Sequence, residues 1–356
     1  MKTSLYQAHV DLGAKILDFS NFLMPIHYDK GIKFEYNAVR KNLGIFDVSH
    51  MGVIKVSGAE SNKYLNHILS NNILTLKGGK ALYSLICNQN GKIIDDLIVY
   101  NIDNYFILIV NAANKEKDLN WILTHKPNDV TVEDISNFTS LIAVQGPNSK
   151  TKLESLLNLD LNDMPFYSCK NSKYNDDTIF IARTGYTGEL GYEILSETNT
   201  INNIWNLMVS NGCHPAGLAV RDILRTEMGY CLYGHEITEE VNPIDAGLNW
   251  IIKKEHSFVG SDNILDIRNQ DKKIIFIKML ERGILREGCK LFHQDTEVGV
   301  VTSGTFSYLL NCGVGIGFIK RGISIQNEFS VEIRDKKHEI KISNKPFINN
   351  RSLKNN

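Results

Sequence analysis

The chain lacks any apolar run approaching the roughly 20 residues that span a bilayer, so a membrane helix is not expected. It also lacks an excess of charge of one sign, with 39 Lys+Arg against 40 Asp+Glu and a net charge of −1. A protein that grips nucleic acid by its phosphates carries a basic footprint, so no nucleic-acid partner is expected. The six cysteines (Cys87, Cys169, Cys213, Cys231, Cys289 and Cys312) form no C-x-x-C. They are too sparse for a disulfide scaffold and read as reduced thiols in a cytoplasm. The opening residues hold neither an apolar secretory core nor an Arg-rich leader, which supports the same expectation. The ten histidines form no H-x-x-x-H and join no Cys/His cluster, so no metal site is expected. There is no G-x-S-x-G elbow. Asp47, Ser49 and His50 crowd one short stretch, whereas a Ser-His-Asp triad is assembled from groups brought together in space.

What is present is an ordinary globular composition, 43% hydrophobic and 22% charged, in 356 residues. That length suits two or three domains with a sizeable core. Helices are predicted over 33–42, 59–69, 114–125, 199–210 and 218–228, with another starting near Pro147. Strand-like segments occupy 46–56, and clear strands 81–88, 93–101, 105–111, 140–145 and 178–184. After about 255 the character changes to short strands with turn signals, at 274–280, 299–302, 314–319, 328–334 and 338–342, which reads as a separate all-β module. The polar tail from Asn349 is expected to fray.

The strongest anomaly is a pair of carboxylates, Asp95 and Asp96, inside the strand Ile-Ile-Asp-Asp-Leu-Ile-Val-Tyr. Aspartate is depleted in strands. Alternation sends the two side chains to opposite faces; one is free to be solvated, and the other lies on a largely apolar surface, where it is costly unless paired or used. If Asn90-Gly91 and Asp103-Asn104 are both two-residue turns, Leu85 and Asn111 face Asp96, and Tyr83 faces Ile98. Diagonal neighbours lie roughly 7–8 Å apart, so Tyr83, Asp96 and Asn111 share one face and form a candidate ligand platform. The alternative is that the aspartates bond neighbouring backbone and Tyr83 packs as a β-former. A one-residue change in either loop would turn every side chain to the other face.

Two further constellations stand out. In Arg-Thr-Gly-Tyr-Thr-Gly-Glu-Leu-Gly-Tyr-Glu (183–193), Gly185, Gly188 and Gly191 give a backbone that a ligand could approach closely, and Glu193 offers a carboxylate to paired N–H donors. A tight turn with a surface glutamate explains the same residues. Arg221 and Arg225 lie one turn apart on a helix, where an arginine suits a ligand carboxylate, and a structural ion pair is favoured for Arg225.

The stretches Phe-Asp-Val-Ser-His-Met (46–51), Ile-Ile-Asp-Asp-Leu-Ile-Val-Tyr (93–100), Val-Asn-Ala-Ala-Asn-Lys-Glu-Lys-Asp (110–118), Val-Gln-Gly-Pro (144–147), Arg-Thr-Gly-Tyr-Thr-Gly-Glu (183–189), Leu-Tyr-Gly-His-Glu (232–236) and Thr-Ser-Gly-Thr-Phe-Ser (302–307) together resemble the aminomethyltransferase (T-protein) family of the glycine cleavage system. The resemblance runs from about Leu5 to Phe347, with order and spacing kept. It implies an α+β cloverleaf of two ferredoxin-like subdomains plus a C-terminal β-barrel around a central folate cavity. A folate-binding region over 1–255, its inner subdomain at about 52–136, would precede a barrel at 270–348.

The resemblance also implies transfer of the aminomethyl carbon from the lipoyl arm of the H-protein to tetrahydrofolate. The products would be 5,10-methylenetetrahydrofolate, ammonia and dihydrolipoyl H-protein. Asp96 matches the family's catalytic aspartate, and its folate contacts fall on Tyr83, Asn111, Tyr186, Glu193 and Arg221. Ala219-Val220, His235, Leu190 and Tyr308-Leu309 depart from the usual pattern without removing any of these. The neighbouring readings are a folate-dependent demethylase of the same fold and a non-catalytic folate-binding or iron–sulfur assembly branch.

Overall fold

A computed structural model describes residues 1–253, 255–266, 270–326, 328–349 and 351–354. Three sheets carry the molecule. The first has six strands in the order Cys169–Tyr174, Asp177–Ala182, Gly191–Glu197, Thr139–Gln145, Gly44–Asp47 and His214–Pro215. Its central strand Thr139–Gln145 is buried from Ser140 onward, the signature of a strand covered on both faces. On one face, Ile142, Val144 and Ile194 pack against Trp205 and Ile204 of the helix Thr198–Ser210 and Leu153 of the helix Ser149–Leu157. On the other face, Ala143, Phe180 and Leu195 meet Val39 from the helix Ile32–Lys41 and Val220 and Leu224 from Leu218–Met228.

The second sheet has five strands in the order Lys80–Cys87, Ile93–Ile102, Tyr105–Val110, Gly52–Ser57 and Thr131–Asp134. The helices Ser61–Ile68 and Lys115–Thr124 cover one face through Leu65, Ile68 and Ile122. Tyr100, Ile107 and Ile109 on its other face join the core of the first sheet, so the two sheets share a seam. The segment expected to be strand-like at 46–56 is two strands, Gly44–Asp47 and Gly52–Ser57, and it passes from one sheet to the other through Val48–Met51.

The third sheet closes into a six-stranded barrel in the order Lys272–Met279, Cys312–Lys320, Thr296–Ser307, Lys290–His293, Phe329–Ile333 and Lys336–Ser343. Only five of these strands are visible in the sequence. Lys290–His293 is four residues with a single fully buried side chain, Leu291, and therefore carries no alternation to read. Glycine allows two strands to touch here: a Cβ on Gly317 would lie 2.5 Å from the Val300 carbonyl oxygen.

Within the tail that was expected to fray, residues 351–354 pack against the molecule. Ser352–Lys354 form a helical turn, Leu353 N donates to Gly188 O (3.2 Å), and Arg351 Nε donates to Glu189 Oε1 (2.7 Å). Asn350, Asn355 and Asn356 lie outside the described residues. No helix among the described residues is long and apolar enough to cross a membrane.

Candidate functional site

A cavity of about 1210 Å³ opens where the three sheets meet. Tyr83, Asp96, Asn111, Tyr186, Glu193 and Arg221 all line it, so the six residues singled out from the sequence are brought to one place. The meander sets the first three. Leu85 pairs with Asp96 and Tyr83 with Ile98, and Leu97 pairs with Val110, which carries Asn111 opposite Asp96.

The expected register holds, but by a different route. The first turn is longer than two residues: Asn88 N donates to Lys92 O, Cys87 pairs with Ile93, and a bulge between Ile86 and Cys87 restores the alignment. The bulge cancels the slip that the longer loop would have caused.

Tyr83 Oη donates to Asp96 Oδ2 (2.9 Å) and Asn111 Nδ2 to Asp96 Oδ1 (2.8 Å). Burial pushes the Asp96 carboxyl up to about 7, with the charge of Asp95 adding to the rise and the two hydrogen bonds opposing it. Trp250, more than half exposed, stacks on Tyr83 with ring centroids 5.9 Å apart and planes 18° apart.

Asp96 is half-buried on the cavity wall, and Asp95 is no more solvated than Asp96. Asp95 is fully buried on the opposite face and accepts Asn111 N (3.1 Å), Asn111 Nδ2 (2.9 Å) and Asn114 Nδ2 (2.6 Å).

Glu193 sits on the strand Gly191–Glu197 of the first sheet. Its Oε2 accepts Thr184 Oγ1 (2.5 Å) and Tyr100 Oη (3.2 Å). Arg221, on the helix Leu218–Met228, lays its guanidinium over the Tyr186 ring at 4.7 Å, and its Nη1 is buried without a partner. Burial lowers the pKa of Arg221, while Glu193 and Tyr186 oppose that shift. Tyr186 Oη is committed to the carbonyl of Cys231, so Tyr186 offers its ring rather than its hydroxyl to a ligand.

Arg225, one turn on, is a structural residue as anticipated: it binds Asp222 Oδ1 (2.8 Å), Glu236 Oε2 (3.0 Å) and Ser303 Oγ (2.8 Å) of the barrel.

Two of the three glycines of the 183–193 stretch have a structural purpose of their own, and one of these, Gly185, also lines the cavity. A Cβ on Gly185 or Gly191 would fall 2.0 or 2.2 Å from the side-chain amide of Gln145. Gln145 is buried, donates to Thr184 O (3.1 Å) and accepts Thr187 Oγ1 (2.9 Å). Gly185 and Gly191 make room for this amide, and the amide holds the turn that carries Thr184 and hence Glu193.

In the 46–51 stretch, Asp47 bonds His9, Thr3 and the Ser49 backbone, and Ser49 Oγ donates to Leu141 O, so no triad forms. His50 instead lines the cavity with Nδ1 unpartnered, and burial holds its pKa down at about 4, making it neutral. Reading the sequence missed His50, Trp250, Tyr100 and Thr184 as site residues. His50, Tyr100 and Thr184 stand in the stretches quoted above, where nothing gave them a role of their own, and Trp250 stands in none of them. All six cysteines are unpaired, and no group of three or more metal-ligating side chains gathers among the described residues.

Comparison with known proteins adds the remaining evidence. Residues 5–256 match the GCVT N-terminal domain family, and residues 272–349 match the glycine cleavage T-protein C-terminal barrel domain. The aminomethyltransferase of Thermosipho melanesiensis is 40% identical over 97% of this chain and 96% of its own. That of Thermotoga neapolitana is 37% identical over 97% of both. The crystal structure of the glycine cleavage system aminomethyltransferase T from Bartonella henselae matches with a TM-score of 0.91 at 31% identity, covering 98% of each chain.

Proposed function

Because this chain belongs to the glycine cleavage T-protein family and is an aminomethyltransferase, we propose that its cavity seats tetrahydrofolate and receives the aminomethylated lipoyl arm of the H-protein, with Asp96 as the reacting carboxylate. The observation that carries this reading is Asp96 itself, oriented by Tyr83 and Asn111 and held near pH 7 in a cavity large enough for a folate.

Glu193 and Arg221 fit the same ligand. The Glu193 carboxylate has one oxygen held by two hydroxyls, which leaves the other to accept N–H groups of an aminopyrimidine edge. The buried, unpartnered Nη1 of Arg221 needs an acceptor, and an anionic or carbonyl oxygen of the ligand supplies one. Tyr83 and Tyr186, with their hydroxyls already bonded, flank the ring system.

Tetrahydrofolate supplies two N–H nitrogens as acceptors for one carbon. The carbon–sulfur and carbon–nitrogen bonds of the aminomethyl group break, and two carbon–nitrogen bonds form. The two N–H protons end on the released thiol and on ammonia. Asp96 stabilises positive charge as it develops on the transferred carbon, and it takes up and returns a proton at its carboxylate. Tyr83 and Asn111 keep both carboxylate oxygens in place during that exchange. The unpaired cysteines fit a reducing compartment, and we place the enzyme in the cytoplasm.

The test is folate-dependent ammonia release from aminomethylated H-protein. Asp96→Asn is expected to lower turnover by about 10²–10⁴-fold with folate affinity nearly unchanged. A variant with near-normal turnover would remove Asp96 from the role. Glu193→Ala is expected to weaken folate binding in calorimetry, and unchanged affinity would overturn that assignment.

A further inference from the structure

Behind Asp96, on the other side of its strand, two more carboxyl groups meet. Asp118 lies in the first turn of the helix Lys115–Thr124, four residues after Asn114, so both face the same way. Asp118 is fully buried. No N–H or hydroxyl among the described residues reaches either of its oxygens, and the side chain that acts on it most is the carboxyl of Asp95. Two carboxylates cannot hydrogen-bond to each other without a proton between them.

The geometry says which one holds it. Asp95 already accepts three N–H bonds, from Asn111 N, Asn111 Nδ2 and Asn114 Nδ2. Asp118 has no such donors, so a proton between the two carboxyl groups belongs on Asp118. Of the charged groups that act most on Asp118, Asp95 and Asp96 disfavour its ionisation and Lys117 favours it. Burial, together with the charge and hydrogen bond of Asp95, pushes Asp118 up to about 11.

We propose that Asp118 is a positioning residue, protonated at neutral pH, whose O–H donates to Asp95 so that Asp95 can hold Asn111 against Asp96. The link is short, since Asn111 Nδ2 bridges Asp95 Oδ1 at 2.9 Å and Asp96 Oδ1 at 2.8 Å. The negative charge of Asp95 also helps to raise Asp96, so the proton on Asp118 tunes the reacting carboxyl without touching substrate. This inference rests on Asp96 being the reacting carboxylate.

The experiment uses the full chain and two substitutions. Infrared difference spectra of wild type against Asp118→Asn at about pH 8 are expected to show one protonated carboxylic acid lost in the variant. Asp118→Asn retains an N–H donor for Asp95 and is expected to keep kcat within about twofold. Asp118→Ala has no donor, so Asp95 loses one of the hydrogen bonds that fix it and Asn111 loosens. Turnover is then expected to fall about tenfold with little change in folate KM. The acidic limb of the kcat profile is expected to move to higher pH, because the Asn111 hydrogen bond that holds the Asp96 carboxyl down is weakened.

Absence of the acid band in wild type, an Asp118→Asn as damaged as Asp118→Ala, or an unmoved limb in Asp118→Ala would each overturn the proposal. The infrared arm does not depend on catalysis. An Asp96→Asn variant that stays active would therefore remove the Asp96 assignment while the acid pair is still tested by itself.

Discussion

Arg221 and Arg225 stand one turn apart on the same helix, and both are withdrawn from solvent, yet they do opposite things. Arg225 spends its guanidinium on protein. It ties Asp222, Glu236, Ser303 and the Tyr230 carbonyl together and clamps the helix to the barrel. Its main partner is equally satisfied: Glu236 also accepts Thr302 Oγ1 (2.5 Å) and Leu232 N (3.1 Å). Arg221 has an aromatic face and the nearby charge of Glu193, but one nitrogen is left buried and empty. A closed ion pair holds structure together, whereas an open one stores an unmet demand that a ligand can meet.

The first way to break this contrast is Arg225→Ala. It leaves Glu236 buried without its counter-charge and is expected to cost about 3–5 kcal/mol in urea unfolding. A loss below about 1 kcal/mol, the scale of an exposed pair, would mean that the clamp is not structural. The second is Arg221→Met, which keeps the stem over Tyr186 and removes an unsatisfied cation. Unfolding stability is expected to hold or rise. Folate affinity is expected to fall by about 1.5–3 kcal/mol, the value of a charge-assisted hydrogen bond. Equal damage to stability from both arginine variants would erase the distinction between them.

The third effect is in the pH dependence of the ligand-free protein. The pKa of Asp96 is raised in the folded state, to about 7, because burial and Asp95 disfavour its charged form. Its contribution to stability is therefore fully present below the unfolded value of about 3.9 and is lost as pH rises through about 7. Thermal unfolding should show wild type losing stability relative to Asp96→Asn across that window and running parallel to it outside. Parallel curves throughout would show that Asp96 is not perturbed. A separate expectation concerns the wall that carries Glu193. Gly191→Ala forces a Cβ into the Gln145 amide and should destabilise by about 1–3 kcal/mol while weakening folate binding.

Legibility followed distance along the chain. The grouping of Tyr83, Asp96 and Asn111 could be read because one meander of adjacent strands contains all three, and strand alternation carries them to one face. Even there the turn was misread, and the register survived only because a bulge compensated. The helix Leu218–Met228 was also readable, because Gly229 adopts φ +71° and stops it in a left-handed cap. The packing role of Gly185 and Gly191 could not be read because its reason, the Gln145 side chain, comes from a strand some forty residues earlier. Lys290–His293 was missed because its strand character comes from its barrel neighbours and not from its own pattern.

By itself, then, the sequence determined the local elements, the face on which Asp96 stands, and the family resemblance carried by its motifs. Only the tertiary structure decided that Asp95 is buried and not solvated, that Arg225 is closed and Arg221 open, and that Asp118 has one acidic partner and no donor. The physical reason is the same in each case. Periodicity and turn chemistry act between residues a few positions apart, whereas the cost or use of a buried charge depends on which distant face is packed against it.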